Sequence, residues 1–248
     1  MDIKKIKENL QDAEVIYLDS VDSTNRYAKE NFSGSKGAVI ADEQTKGRGR
    51  LSHRWESVKG KDLTFTIVCT RRMEIKDAFI MNFYTSLMIY NVLNKIVKVQ
   101  LKWPNDIMLD GRKVCGLLTE TENKNGMIKF FIGIGINVNG EDFSGEIKDK
   151  AISLSIAAGK KLNAENIFTE ILTEFFNNID MTADKKTVLK KWKENFYLKN
   201  KIAEFRLNDT QDVITARVLD VEPDGGITLE LGNGKKVTYY TGEMSFIY

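Results

Sequence analysis

The 248-residue chain contains a single histidine, His53, and two cysteines, Cys69 and Cys115. A zinc centre needs three or four Cys, His or carboxylate ligands at short spacings, so this scarcity argues against one. Each cysteine stands alone in an apolar, strand-like run, the pattern of a small buried side chain in a reducing compartment. An excess of charge of one sign is missing as well. Lys plus Arg number 37 and Asp plus Glu 35, a net charge of +2, and the two signs are interleaved along the chain. A protein built to hold nucleic acid usually carries a larger or more concentrated basic excess. Long apolar runs are absent: none approaches the roughly 18 residues of a membrane span, and the N-terminus has no signal-peptide core. The expectation is a cytoplasmic protein with no membrane contact.

The chain does offer alternating patterns of helix and strand. Residues 1–14 read as a short amphipathic helix through Ile3, Ile6 and Leu10, and Val15–Leu18 as a strand. Asp22 or Ser23 can cap a helix that starts near Thr24. Strand patterns follow at 37–43 and 62–70, then a helical one at 76–97 and a short strand at 99–102. Trp103-Pro104 breaks any helix, because proline disfavours helical geometry in the residue before it. Asp110-Gly111 marks a hairpin between 107–109 and 112–121, and 128–138 is a further strand. Residues 141–150 are polar and aperiodic and read as a mobile loop. Helical patterns occupy 151–158, 163–182 and 185–195. From about Lys199 short alternating segments are separated by turn residues, the texture of a small barrel. These readings predict two domains, 1–197 and 198–248.

Four stretches carry residues suited to chemistry. Lys46-Gly47-Arg48-Gly49-Arg50-Leu51-Ser52-His53-Arg54-Trp55 combines glycines that allow close backbone approach with guanidinium forks suited to phosphate. Trp55 adds a flat face for a base. From composition alone this is equally a ligand-closing loop or a basic surface loop, including one that contacts nucleic acid. Lys102-Trp103-Pro104-Asn105-Asp106 sets a lysine, an amide and a carboxylate on one turn, suited to an anion or a metal. Lys113-Val114-Cys115-Gly116-Leu117-Leu118 and Gly133-Ile134-Gly135-Ile136-Asn137 place glycine inside apolar strands, where a backbone or ligand approaches closely.

In chain order the set resembles the biotin protein ligases. The matching elements are Asp22-Ser23-Thr24-Asn25, Gln44 with Gly47-Arg48-Gly49-Arg50 and Trp55, Lys102-Trp103-Pro104-Asn105-Asp106, Lys113 with Gly116-Leu117-Leu118, Gly135-Ile136-Asn137, and Gly242-Glu243-Met244-Ser245. Ser52 and His53 depart from the family's loop, where glycine and arginine are usual. The resemblance implies an α/β (α+β) fold: a class II synthetase-like mixed sheet flanked by helices, then a small SH3-like β-barrel. It implies a monofunctional enzyme, since an Asp-Ser-Thr-Asn element starting at residue 22 leaves no room for the family's DNA-binding domain.

The activity implied is formation of biotinyl-AMP from biotin and ATP with Mg²⁺, then transfer of biotin to a lysine of a biotin carboxyl carrier protein or another biotin-dependent carboxylase subunit. By the same resemblance Ser23, Thr24, Asn25, Gln44 and Gly116 line the biotin site, with Arg48, Gly49 and Arg50 in the loop over it. Lys102 reaches the biotin carboxylate and α-phosphate, and Arg50 and Asp106 join it in catalysis. Trp55, Asn105, Lys113 and Asn137 form the ATP side, and Asp106 doubles as a metal candidate. Monomer and homodimer are both compatible with the sequence. The rival readings are a lipoate-type ligase and a nucleic-acid-binding module.

Overall fold

The computed structural model describes residues 6, 8, 10, 13–50, 54–143 and 145–247, and the fold is built on two sheets. Most of the N-terminal helix expected over 1–14, including Ile3, lies outside the described residues, as do Ser52 and His53. Ile6 and Leu10 are buried in the main core.

The larger sheet has seven strands in the order β1-β2-β3-β7-β6-β5-β4. They are Glu14–Leu18, Lys36–Ala41, Leu63–Arg72, Gln100–Lys102, Asp106–Leu109, Arg112–Lys124 and Met127–Ile136 for β1 to β7. Only the β1–β2 pair is parallel. Two of its connections, β5–β6 and β6–β7, are two-residue hairpin turns. Asp110 and Gly111 both adopt positive φ (49° and 75°), as do Asn125 and Gly126 (54° and 75°), the conformation that suits a two-residue hairpin turn.

Helix α1, Thr24–Asn31, packs on one face of this sheet through Ala28 and Phe32 against Val39, Val68 and Phe131. Ser23 is its N-cap and accepts from the Arg26 N–H. The opposite face is covered by α2 (Ile80–Leu93), α3 (Ala164–Asn178) and α4 (Lys185–Glu194). Helix α2 is shorter than the 76–97 pattern. Its N-cap position, Phe79, offers no capping oxygen, and a 3-10 turn occupies 75–77. At the other end Asn94 turns its side-chain oxygen to the Val99 N–H of the returning chain, a bond that competes with helix continuation. Apolar residues all round α2 follow from its place between sheet and helices.

The smaller sheet is antiparallel, with strands in the order β11-β10-β9-β8-β12. These are Ile202–Leu207, Val213–Val221, Ile227–Leu231, Lys236–Tyr239 and Met244–Phe246 for β8 to β12. Among the described residues no ladder joins its edge strands β11 and β12; the turn between them carries only an isolated bridge, Thr241 with Met244. It docks on the larger unit at the Trp103 turn. Trp103 is 1% exposed, and its indole N–H donates to the Gly225 carbonyl at 2.9 Å. A side chain at Gly225 (φ 93°) would run into the Phe79 ring. Trp103-Pro104 is a cis peptide, and the Pro104 carbonyl accepts from the buried Asn82 side chain.

Candidate functional site

On the α1 face, the centre of the large sheet is bare. Gly116 pairs with Gly135, and Leu118 with Gly133, across β6 and β7. These glycines floor a cleft of about 1120 Å³, walled by α1, the arginine loop, the Trp103 turn and the C-terminal sheet. Their lack of a side chain is required by neighbours. A Cβ on Gly133 would lie 2.6 Å from Asn25 Oδ1, one on Gly116 2.7 Å from Lys113 Cε, and one on Gly135 inside the Trp55 ring.

One end of the cleft is a fixed hydrogen-bonding array. Gln44 Oε1 accepts from the Thr24 N–H at 2.7 Å and from the Thr24 hydroxyl at 2.9 Å. Those bonds hold the carboxamide with its N–H₂ end elsewhere. Asn25 donates to the Leu118 carbonyl (3.1 Å) and to Glu120 (3.0 Å), while its Oδ1 lies 2.6 Å from the Thr66 hydroxyl. Ser23, Thr24 and Asn25 are buried, so these groups act in a partly dehydrated setting, where an unmatched ligand atom is costly.

The other end is cationic. Lys113 and Asp106 form an ion pair at 2.6 Å. Arg50 donates to Asn105 Oδ1 at 3.2 Å, and the Asn105 side chain donates to the Leu117 carbonyl. Burial pulls the Arg50 guanidinium down from its ordinary pKa, and Asp106 opposes that shift. Asn137 is buried and donates to the Ile152 and Lys113 carbonyls at 3.2 and 3.4 Å. The arginine loop is tied down at both described arms: Arg48 bridges Arg54, and the Trp55 N–H donates to the Gly47 carbonyl. Trp55 spreads over Gly116 and Gly135 with Lys113 Nζ 5.6 Å from its ring centre. Among the described residues its buried indole N–H has no partner. Among those residues, too, no three Asp, Glu, Cys or His side chains gather into a cation cage.

Ser23, Thr24, Asn25, Gln44, Arg48, Gly49, Arg50, Trp55, Asn105, Asp106, Lys113, Gly116 and Asn137 all line this one cleft. Lys102 does not. It is cross-strand from Asp106 on the same face of the sheet, but it is 4% exposed and roofed by Phe246, whose ring centre lies 4.5 Å from Nζ. Burial first, then Lys113, push its pKa down, against the pull of Asp106, to about 7. Polar groups that sequence reasoning passed over also face the cleft, among them Lys150, Arg206 and Asn208. Lys150 belongs to the segment read as a mobile loop. That segment ends pinned to β6, the Lys113 N–H donating to the Lys150 carbonyl at 2.7 Å. No motif flagged it, because a bridge between residues 113 and 151 has no local signature.

The mixed sheet thus carries one cleft with a glycine floor, a hydrogen-bonding end and a cationic end. Residues 17–139 match the model of the biotin/lipoate A/B protein ligase family, and residues 204–247 that of the biotin protein ligase C-terminal domain. The bifunctional ligase/repressor BirA of Bacillus subtilis is 30% identical over 243 residues, 94% of this chain and 74% of that protein. A biotin–[acetyl-CoA-carboxylase] ligase of Paracoccus denitrificans is 30% identical over 64% of this chain and 70% of its own length. Among solved structures, a biotin protein ligase from Aquifex aeolicus in complex with biotin and ATP superposes with a TM-score of 0.81. It is 28% identical, and the match covers 94% of this chain and 98% of that one. The chain belongs to the biotin protein ligase family.

Proposed function

We propose that the chain condenses biotin with ATP to biotinyl-AMP and then transfers biotin to a lysine of a biotin carboxyl carrier protein or a related carboxylase subunit. The observation that carries this reading is the single cleft that joins the Thr24–Gln44–Asn25 array to the Lys113–Asp106–Arg50 group across a glycine floor. A ureido ring has two N–H donors and one carbonyl acceptor, which hydroxyl and carboxamide groups can match. Its apolar remainder would lie along the floor, with Trp55 moving aside or stacking on it. The carboxylate would then meet Lys113, in company with a Mg–ATP complex.

In the first step a carboxylate oxygen attacks the α-phosphorus, the bond to the β-phosphate oxygen breaks, and pyrophosphate leaves. Lys113 and Arg50 face the cleft and stabilise the charge that builds on the phosphoryl oxygens. Lys102, roofed by Phe246, stands behind them and supports Asp106. The Trp55 side, Asn105 and Asn137 take the nucleotide. Mg²⁺, carried in on the triphosphate as is usual for this ion, would neutralise phosphate charge. Asp106, already paired with Lys113, serves as a proton acceptor rather than as part of a metal cage. In the second step the acceptor amine attacks the acyl carbon, AMP leaves, and the amine proton passes to Asp106. The ligase unit spans 1–197 and the C-terminal unit 198–248: Tyr197 bonds back to Leu101 of the large sheet, and Asn200 to Val218 of the small one.

Titration calorimetry with biotin and with lipoate tests the specificity. The expected result is tight binding of biotin and none of lipoate at matched concentration; preference for lipoate would overturn the reading.

A further inference from the structure

Glu120 falls outside every motif above, yet three side chains from two other elements converge on it. It follows Gly116 and Leu118 at two-residue steps along β6, so its side chain rises from the same face of the sheet as the cleft floor. Its Oε2 accepts from Asn25 Nδ2 at 3.0 Å. Its Oε1 accepts from Arg48 at 3.0 Å and from Lys29 of α1 at 3.4 Å. The side chain is 23% exposed, against 55% for Arg48. Burial alone would raise its pKa, but the Asn25 bond and the nearby Lys29 and Arg48 charges outweigh it and hold the carboxyl below its ordinary value. It is therefore an anion at neutral pH.

The geometry has two consequences. Arg48 belongs to a loop whose neighbours Arg50 and Arg54 repel it, and a fixed anion offsets that repulsion. Asn25 can point its Oδ1 toward Thr66 and Gly133 only while its N–H₂ group has acceptors on the other side. Leu118 supplies one and Glu120 the other. One carboxylate thus fixes both a loop arginine and a side chain at the hydrogen-bonding end of the cleft.

We propose that Glu120 is a positioning residue that holds Arg48 over the cleft and couples it to Asn25, so that the acyl-adenylate is retained until the acceptor arrives. This rests on the ligase reading above. Glu120 touches neither reacting atom. Its contribution is to keep Arg48 from swinging into solvent, which a long charged side chain otherwise favours entropically.

The test uses the full chain, with Glu120→Gln, Glu120→Ala, Arg48→Ala and the Glu120→Ala/Arg48→Ala double variant. Biotinyl-AMP is formed on the enzyme from biotin, ATP and Mg²⁺, free ligand is removed by rapid desalting, and the adenylate that dissociates is quantified by mass spectrometry over time. E120A is expected to speed release by roughly three- to tenfold, the size of a partly exposed charge-assisted hydrogen bond, with a larger effect on release and on KM for biotin than on kcat. R48A should match it, and the double variant should release no faster than either single one, because the two residues act as a unit. E120Q, which keeps volume and loses charge, should fall between wild type and E120A and stands in if E120A is poorly folded. Unchanged release in a folded E120Q or E120A, or effects that multiply in the double variant, would overturn the coupling. Absence of any adenylate with the wild-type chain would instead overturn the ligase reading, and this inference with it.

Discussion

Two lysines separate what the sequence shows from what only folding decides. Lys102 has the more conspicuous context, a strand end beside Trp-Pro, yet it is Lys113 whose ammonium faces the cleft. The cause is an irregularity in the β5–β6 pairing. Ile107 pairs with Cys115 but Met108 pairs with Lys113, so Val114 is an extra residue. Strict alternation would put Lys113 and Gly116 on opposite faces; the bulge brings both to the cleft. No residue pattern announces it. Lys113→Met is expected to abolish pyrophosphate release from biotin and ATP while leaving the fold intact, checked by a coupled pyrophosphate assay beside circular dichroism. Lys102 gives a different signature. Its folded pKa, about 7, lies below the ordinary 10.5. Below pH 7 both states are protonated and the fold bears the full cost of a buried charge. Between 7 and 10.5 the unfolded chain binds more protons, so stability rises with pH. The unfolding free energy of wild type minus that of Lys102→Met should therefore grow as pH rises from 7 to 10 in urea titrations. A flat difference would show that the ammonium is not buried.

At the scale of elements, most of the fold was legible and its joints were not. The hairpin at Asp110-Gly111, the Ser23 cap and the helices at 164–178 and 185–194 follow from turn chemistry, capping and periodicity, which act over a few residues. The glycines at 116, 133 and 135 were legible as places of close approach, but not what approaches. The structure supplies Lys113, Asn25 and Trp55 in turn. The anchoring of 150–152 on β6 was not legible, because it is a contact between distant parts of the chain. The floor yields a direct prediction. Gly135→Ala places a methyl where the Trp55 ring lies, so the ring must leave or the strands must part. The expected outcome is a red-shifted tryptophan emission with retained secondary structure, and weaker biotin binding by calorimetry. Unaltered emission and binding would mean that Trp55 does not rest on this floor in solution.

For the molecule as a whole, the two sheets meet at the turn that carries the site's carboxylate, so the C-terminal unit is part of the site's architecture. Trp103 bonds Gly225, Phe246 roofs Lys102, and Arg206 and Asn208 face the cleft. Composition announced a second small β unit but not where it docks, since that surface is shared by residues 79, 103, 225 and 246, far apart in sequence. Trp103→Phe keeps an aromatic ring but loses the N–H and part of the indole's volume, leaving the buried Gly225 carbonyl without that donor and a small void beside it. It should lower stability by roughly 1–3 kcal/mol in denaturant unfolding. No change would mean the units are held together elsewhere. The central claim, that one cleft performs both activation and transfer of biotin, is tested most directly with purified chain, biotin, ATP, Mg²⁺ and an isolated biotin carboxyl carrier domain. Pyrophosphate and AMP are measured together with the intact mass of the carrier. The account predicts one pyrophosphate and one AMP for each biotinyl group added, on a single lysine, with nothing added when lipoate replaces biotin. A carrier of unchanged mass beside an active positive-control ligase would contradict it.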